Sequence, residues 1–427
     1  MKTFKISTGK EVLKFQIPQN FSYEILEPNK VTPLRNLKEA TKESLMNPIA
    51  SPKLRKLAKP GQKISIIICD NTRYVPVKVI IPEVINELIN AGVSKKDITI
   101  IIATGTHRPM TKKEIVEMLS REIVDTIKVI NHDAYDKENL IFLGKSKKLS
   151  IPITLNKTVV ESDIRIGIGV VEPHLFAGYS GGVKILSVGV AGRQTIAETH
   201  NAKILEHPQT KLGDIRNNIF REFLNEVATL VKLDFIVNVI QDEVKRPVKI
   251  FAGNSIIAYE EAVKAAKNIY EVKASKKADV VITVPKYPKT INLYQATRAA
   301  NSVIFGEEPL VRKGGIVIIP ARCEDGIGGD KFYNDLASVS DPYEVIQRGR
   351  VEGFPPEGHK PFNIARMMQH CKLIITDTDI EKEKIEAMHF SYEESISSAL
   401  KKVSMNNSSL HVMILPDGCI TIPRFNI

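Results

Sequence analysis

Tryptophan is absent from the chain, cysteine occurs four times, and neither charge sign gathers into a block. The four cysteines (Cys69, Cys323, Cys371, Cys419) stand far apart with no Cys-x-x-Cys pair, which excludes a zinc ribbon and a disulfide framework. Cys69 and Cys371 adjoin apolar runs, where a buried thiol is the plain reading. No stretch approaches the roughly 20 apolar residues of a membrane span. The start, Met1-Lys2-Thr3-Phe4-Lys5-Ile6, lacks the apolar core of a secretory leader, so the expected compartment is the cytoplasm. The formal charge of +11 would suit a polyanion, yet the lysines are dispersed and no aromatic-basic pattern accompanies them. Neither nucleic acid nor membrane is expected as a partner. The nucleotide fingerprints G-x-G-x-x-G and G-x-x-x-x-G-K-[ST] are missing as well, which argues against an ordinary dinucleotide or P-loop triphosphate.

What is present is an alternation of apolar runs and helical patterns over 427 residues, the signature of α/β units with mainly parallel sheets. Residues 63–69 (KISIIIC) read as a strand buried on both faces. A helix follows over residues 80–90, ending at Gly92 as its C-terminal cap. Further strands are expected at 97–103, 126–131, 164–170 and 233–240, with a helix opening at Thr111, which forms a capping box with Glu114. A helical segment at 255–270 bridges to a second half. There strands are expected at 278–284, 315–319, 372–376 and 410–415, and helices near 292–303, 343–350, 362–370 and 392–403. The length exceeds one hydrophobic core. The expectation is two α/β domains, 1–268 and 269–427, with a cleft between them.

Ligands of open α/β sheets sit outside the carboxyl ends of the strands. Three polar loops occupy that position: Asp70-Asn71-Thr72-Arg73, Thr104-Gly105-Thr106-His107-Arg108 and Glu172-Pro173-His174. Each alone reads as solvated loop; together they deliver an acid, arginines and two histidines to one edge. The third loop runs on through Ser180-Gly181-Gly182-Val183-Lys184. Thr104, Gly105, Ser180 and Gly181 suit close approach to a phosphate, or simply a glycine-rich hairpin turn. Lys184 lies among Val183, Ile185 and Leu186, where burial would lower its pKa and favour a nucleophilic amine; a snorkelling surface lysine is the plainer reading. His200 closes a helix over 194–200, as a metal ligand or a partner of the helix dipole. In the second half, Tyr294, Gln295 and Arg298 at i, i+1 and i+4 would share a helix face as a carboxylate clamp, or pair with a neighbouring surface.

In order and separation these elements resemble the nickel-pincer lactate racemase family over essentially the whole chain: Asp70-x-x-Arg73, Thr104-Gly105-Thr106-His107, Pro173-His174 to Gly182-x-Lys184, His200 and Tyr294-Gln295. The resemblance implies a pyridinium-3-thioamide-5-thiocarboxylic acid mononucleotide joined to Lys184. It also implies nickel(II) held by that group's own donors and by His200. His107 and His174 would be the acid and base, while Asp70, Arg73, Tyr294, Gln295 and Arg298 would orient the base and hold the substrate. The implied activity inverts C2 of a 2-hydroxy acid by reversible hydride transfer, with cofactor-maturation enzymes as partners. Arg298 stands where lactate-specific members carry lysine, and the missing tryptophan is a second departure. Both leave open a related 2-hydroxy acid with a second polar group. Two other classes stay in view: a non-catalytic nucleotide- or phosphate-binding protein on the same scaffold, and a conventional metal-dependent hydrolase.

Overall fold

The computed structural model describes residues 2–355, 358–405 and 409–425, which divide into two compact units. One comprises 30–200 and 215–269; the other comprises 1–29, 201–214 and 270–427.

The first unit is built on a six-stranded sheet. In spatial order its strands are Pro247–Gly253, Phe235–Gln241, Ile164–Val170, Ile64–Cys69, Ile98–Ala103 and Lys128–Asn131. All neighbours run parallel except the edge strand Pro247–Gly253, which returns antiparallel. The central strands are isoleucine-rich because both faces are covered. Ile64, Ile66, Ile68, Ile98, Ile100 and Ile102 pack with Ile80, Val84 and Leu88 of the helix Val77–Asn90 in one core. Each such side chain contributes roughly 1.5–3 kcal/mol by leaving water. The chain moves outward from Ile64–Cys69 to Ile98–Ala103 and Lys128–Asn131, then returns to the other side of Ile64–Cys69 as Ile164–Val170. That reversal is the switch point at which such sheets open a crevice.

The second unit holds six parallel strands, in the order Ser391–Tyr392, Lys372–Thr376, Val311–Pro320, Ala278–Thr283, His411–Leu415 and Ser22–Ile25. The last of these corrects the single cut expected at 268/269. Ser22–Ile25 comes from the start of the chain and pairs with His411–Leu415. The hairpin Lys2–Ser7/Val12–Ile17 before it buries Phe4, Ile6, Leu13, Phe15 and Ile17 against Val280, Ile282, Ile318 and Ile414. Residues 201–214 belong here too, tied by Arg350 to Glu206 at 2.8 Å and by Arg424 to the Gly213 carbonyl at 2.9 Å. A short strand with an alternating pattern carries little local signal; its partner 389 residues away decides where it belongs.

Other sequence expectations shift only at their ends, with one exception. The helix expected over 292–303 breaks into Leu293–Ala296, a 3-10 turn Thr297–Ala300, and Asn301–Ile304. Between 201 and 232, where the sequence reading placed no element, stands the amphipathic helix Ile219–Leu230. Among the described residues no helix is long and apolar enough to cross a membrane.

Candidate active site

The three loops picked out by sequence follow three adjacent strands of the first unit: Asp70 after Ile64–Cys69, Thr104 after Ile98–Ala103, and Glu172 after Ile164–Val170. Parallel pairing puts their carboxyl ends on the same edge, so the loops converge without special design.

Asp70 and His107 form the first pair. The Asp70 Oδ2 lies 2.7 Å from His107 Nδ1, and Oδ1 accepts from the Thr72 amide and hydroxyl at 3.1 and 2.5 Å. Burial pushes the Asp70 carboxyl up, but the hydrogen bonds from His107 and Thr72, with Arg73 beside them, outweigh it and hold the group below the usual carboxylate range. An ionised carboxylate only accepts, so the neutral His107 ring carries its proton on Nδ1 and presents a lone pair at Nε2. The capping box of the helix Lys112–Leu119 steadies both loops. Glu114 accepts from the Thr111 amide at 2.7 Å, from Arg108 at 2.6 Å and from Asn71 at 3.1 Å.

His174 has the opposite tautomer. Its Nδ1 accepts from the backbone amides of Phe176 and Ala177 at 3.2 and 3.1 Å, so the neutral ring carries its proton on Nε2. Burial, then repulsion from Lys184, Arg73, His200 and Arg221, holds its pKa well below the ordinary imidazole value. The neutral His107 ring thus offers a lone pair at Nε2, and the neutral His174 ring a hydrogen-bond donor at Nε2.

The Lys184 amine is lowered to about 8, first by burial and then by Arg73 and Arg221, against smaller opposing effects of Cys69 and Asp70. The Cys69 thiol is pushed up to about 11 by burial and stays neutral at pH 7. Lys184 opens the turn Lys184–Ser187, one residue after the tight segment Gly181-Gly182. Both glycines have positive φ, +81° and +57°, and a Cβ at Gly182 would lie 2.7 Å from the Tyr259 ring. The Gly182 amide donates to Asn238 Oδ1 at 2.8 Å. The glycines are there to bring the lysine's backbone against the Asn238 strand and the Tyr259 helix.

Thr104, Gly105 and Ser180, expected to meet a phosphate, spend their polar groups inside the fold. Thr104 donates to the His132 carbonyl at 2.5 Å, the Gly105 amide to the Gly189 carbonyl at 3.0 Å, and Ser180 to the Val170 carbonyl at 2.7 Å. They fasten the loops to one another. Gly181 sits so close to Val171 and Asn238 that its packing alone accounts for the residue type.

His200 caps the helix Arg193–Thr199, and its Nδ1 lies 2.9 Å from the Ile196 carbonyl. A carbonyl only accepts, so Nδ1 carries the proton and the lone pair is on Nε2, the arrangement that suits a metal ligand. The ring packs edge-on against Phe176 and Phe220 at 5.5 and 5.3 Å, and the same two phenylalanines flank His174 at 6.0 and 6.4 Å.

Arg221 escaped the sequence reading. It is 3% exposed in the helix Ile219–Leu230, donates to the Ala177 and Tyr179 carbonyls, and stacks over Tyr259 at 4.5 Å. It pins the hairpin Pro173–His174/Gly178–Tyr179 that carries His174. The available signal was an arginine among Ile219, Phe220, Phe223 and Leu224, on the face that helical periodicity assigns to the core. Glu172 was seen but given no role; it takes Lys245 at 3.1 Å and Arg73 at 3.7 Å.

Tyr294, Gln295 and Arg298 lie in the second unit. The helix break at Thr297 removes the regular i, i+4 face expected of Tyr294 and Arg298. Tyr294 packs edge-on against Phe332 at 5.4 Å, and Gln295 Oε1 accepts from Lys289 at 3.3 Å.

The first unit thus brings two imidazoles and a depressed lysine amine to the loops at a sheet switch point, an arrangement that suits an enzyme moving protons on a small substrate. Comparison with known proteins narrows this. The profile of the lactate racemase N-terminal domain matches residues 8–213, and that of the lactate racemase C-terminal domain matches residues 272–422. The chain belongs to the lactate racemase family, and it is an isomerase of the racemase type. It is 31% identical to a lactate racemase of Thermoanaerobacterium thermosaccharolyticum over 99% of this chain and 100% of that protein. It is likewise 31% identical to one of Lactiplantibacillus plantarum over 89% of each. The lactate racemase apoprotein structure from T. thermosaccharolyticum superposes with a TM-score of 0.88 at 30% identity, covering 99% of this chain and all of that one. A Thermotoga maritima protein shares the fold at a TM-score of 0.68 and 20% identity, over 93% of this chain and 100% of that one.

Proposed function

We propose that this racemase inverts C2 of a 2-hydroxy acid, lactate or a relative of it, with a nickel-pincer nucleotide joined to Lys184 and its metal shared with His200. The observation that carries the reading is the amine lowered to about 8 near His174, at the same sheet edge as His107, the two imidazoles being fixed in opposite tautomers.

The residues fit such a group. An amine at this pKa is about one-tenth neutral at pH 7, enough for a nucleophile. His200 offers an oriented lone pair and is steadied by aromatic edges. Among the described residues no group of three or more His, Cys, Asp or Glu side chains forms a metal site. A metal held by one imidazole and by a cofactor's own sulfur donors needs none. Bound there, the group would supply a hydride acceptor for the C2 hydrogen, which is too weakly acidic for a plain base.

The chain's own part is to manage protons and hold the substrate. His107 Nε2 takes the hydroxyl proton of one enantiomer while the Asp70 carboxylate stabilises the resulting imidazolium. The His107 imidazolium hands that proton back to the same oxygen, and the neutral His174 ring would donate a hydrogen bond to it from Nε2–H. Its depressed pKa keeps that ring neutral. Arg73 binds the substrate carboxylate. Tyr294, Gln295 and Arg298 are assigned to the substrate by the family pattern.

The test is peptide mass analysis of protein co-expressed with cofactor-maturation enzymes, paired with chiral assay of lactate. A nucleotide-sized adduct on the Lys184 peptide is expected, retained in His107→Ala and His174→Ala, with racemisation lost in both. An unmodified Lys184 in protein that racemises overturns the proposal.

A further inference from the structure

We propose that Asn218 and Arg221, at the start of the helix Ile219–Leu230, are positioning residues for His174. Acting through the backbone of its hairpin, they set which nitrogen of that imidazole carries the proton. This rests on the reading that His174 serves the substrate, and adds what holds the ring in its useful tautomer.

The hairpin has little hold of its own. Its strands, Pro173–His174 and Gly178–Tyr179, are two residues each, and so short a ribbon is marginal in isolation. Yet the His174 ring depends on the turn between them. Both groups that donate to Nδ1 are main-chain amides of that turn, Phe176 at 3.2 Å and Ala177 at 3.1 Å. The Ala177 amide is aimed from the other end of its own peptide group, where the Phe176 carbonyl accepts from Asn218 Nδ2 at 2.9 Å. The N–H and C=O of a planar trans peptide point in opposite directions. Asn218 therefore holds the oxygen on one side and so turns the N–H to His174 on the other. The two hydrogen bonds in series also polarise the peptide between them. If that peptide rotates, its oxygen faces Nδ1, and a carbonyl only accepts. The ring proton then moves to Nδ1, and Nε2 loses the hydrogen it offers the substrate.

Arg221 secures the peptides that follow. It donates to the Ala177 carbonyl at 3.2 Å and to the Tyr179 carbonyl, where the Tyr259 hydroxyl joins it at 3.0 Å. The two positioning residues are locked to each other as well. Asn218 Oδ1 caps the helix by accepting from the Arg221 amide at 3.0 Å, and the pair are 0% and 3% exposed. Phe220, between them, packs against Phe176 at 6.0 Å and against His174 at 6.4 Å. One turn of helix thus meets the turn, the strands and the imidazole of the hairpin together.

The experiment reads the tautomer from the ring-nitrogen NMR shifts of full-length apoprotein carrying isotope-labelled histidine, at a pH where His174 is neutral. A His174→Gln sample assigns the signal. Asn218→Ser and Asn218→Asp keep an oxygen to cap the helix but lose the N–H donor. Arg221→Met removes the second clamp, and Arg221→Lys keeps a donor for the carbonyls. Wild type should show a bare Nδ1 and a protonated Nε2. In both Asn218 variants and in Arg221→Met a protonated Nδ1 should appear at His174, while His107 and His200 keep their Nδ1 protons. Arg221→Lys should retain the wild-type signal. In matured enzyme the three affected variants should lose roughly ten- to a hundredfold in kcat for lactate, with KM little changed. A His174 signal unchanged in all three overturns the inference whatever happens to kcat, because the residues then only support the fold. A shift that reaches His200 equally overturns it too, since that marks loosening around Phe220. A shift confined to His174 with racemisation undiminished leaves the positioning standing and sinks the role given to His174 above.

Discussion

Replacing Lys184 by methionine tests the electrostatics on which the site depends. An ordinary lysine titrates near 10.5 and this one near 8. At ~1.4 kcal/mol per unit, that drop amounts to an upper figure of about 3 kcal/mol of disfavoured charge. The residue as a whole keeps some exposure around a desolvated amine, so part of the penalty is screened and about 1–2 kcal/mol remains. The folded pKa is depressed and the group is a base. The penalty is therefore complete below pH 8, shrinks as pH rises from 8 to 10.5, and is gone above that. Lys184→Met apoprotein should be more stable than wild type at pH 7 by about 1–2 kcal/mol in urea unfolding, and the gap should nearly close at pH 10.5. In parallel, the neutral fraction of the amine at pH 7 is roughly 300-fold that of a free lysine. Labelling of the Lys184 peptide by an amine-specific reagent should follow a midpoint near pH 8. A labelling midpoint above 10, or a variant destabilised equally at both pH values, refutes the argument that the amine is held in a desolvated, cationic setting.

Asp70→Asn should lower kcat of matured enzyme by about 10²–10³-fold, because a neutral amide neither fixes the His107 tautomer firmly nor stabilises its charged form; a loss under tenfold by polarimetry contradicts the assigned pair. In the wild type the stability from the depressed Asp70 carboxyl is present above the unfolded carboxylate pKa and is lost as pH falls through the folded one. The Asn variant should therefore lack that acid-side decline. Gly182→Ala forces a Cβ to 2.7 Å from Tyr259 at φ +57°, and should cost about 2–4 kcal/mol in denaturant midpoint analysis; a change below 0.5 kcal/mol would show that the turn can yield. Deleting residues 2–17 uncovers the faces on which Phe4, Ile6, Leu13, Phe15 and Ile17 pack. At roughly 1.5–3 kcal/mol each this rivals the whole stability of a domain. Hydrogen exchange should then show loss of protection through the strands Ala278–Thr283 and His411–Leu415, and intact protection there would refute the packing argument.

Much of the site could be read along the chain because parallel strands impose their own geometry. A run such as ISIIIC is buried on both faces wherever it lies, and the residues after it must emerge at the carboxyl edge. Asp70, His107 and His174 could therefore be assigned to one edge of the sheet from strand ends alone, and the Thr111–Glu114 capping box was legible because both partners sit within one turn. The sequence by itself also determined that the parallel sheets divide into two α/β units.

Only the tertiary structure decided the rest, because those properties depend on partners distant in the chain. The opposite tautomers of His107 and His174 follow from a carboxylate 37 residues away and from two local amides that the hairpin happens to aim inward. Ser22–Ile25 joined the second unit through His411–Leu415. Thr104 and Ser180 looked like phosphate donors until packing committed their hydroxyls to carbonyls. Arg221 is a charged residue buried by a helix that the local pattern did not mark, and burial is what makes it consequential. Periodicity reports which face of an element is covered; what covers it, and how that shifts a proton, is settled by the assembled fold.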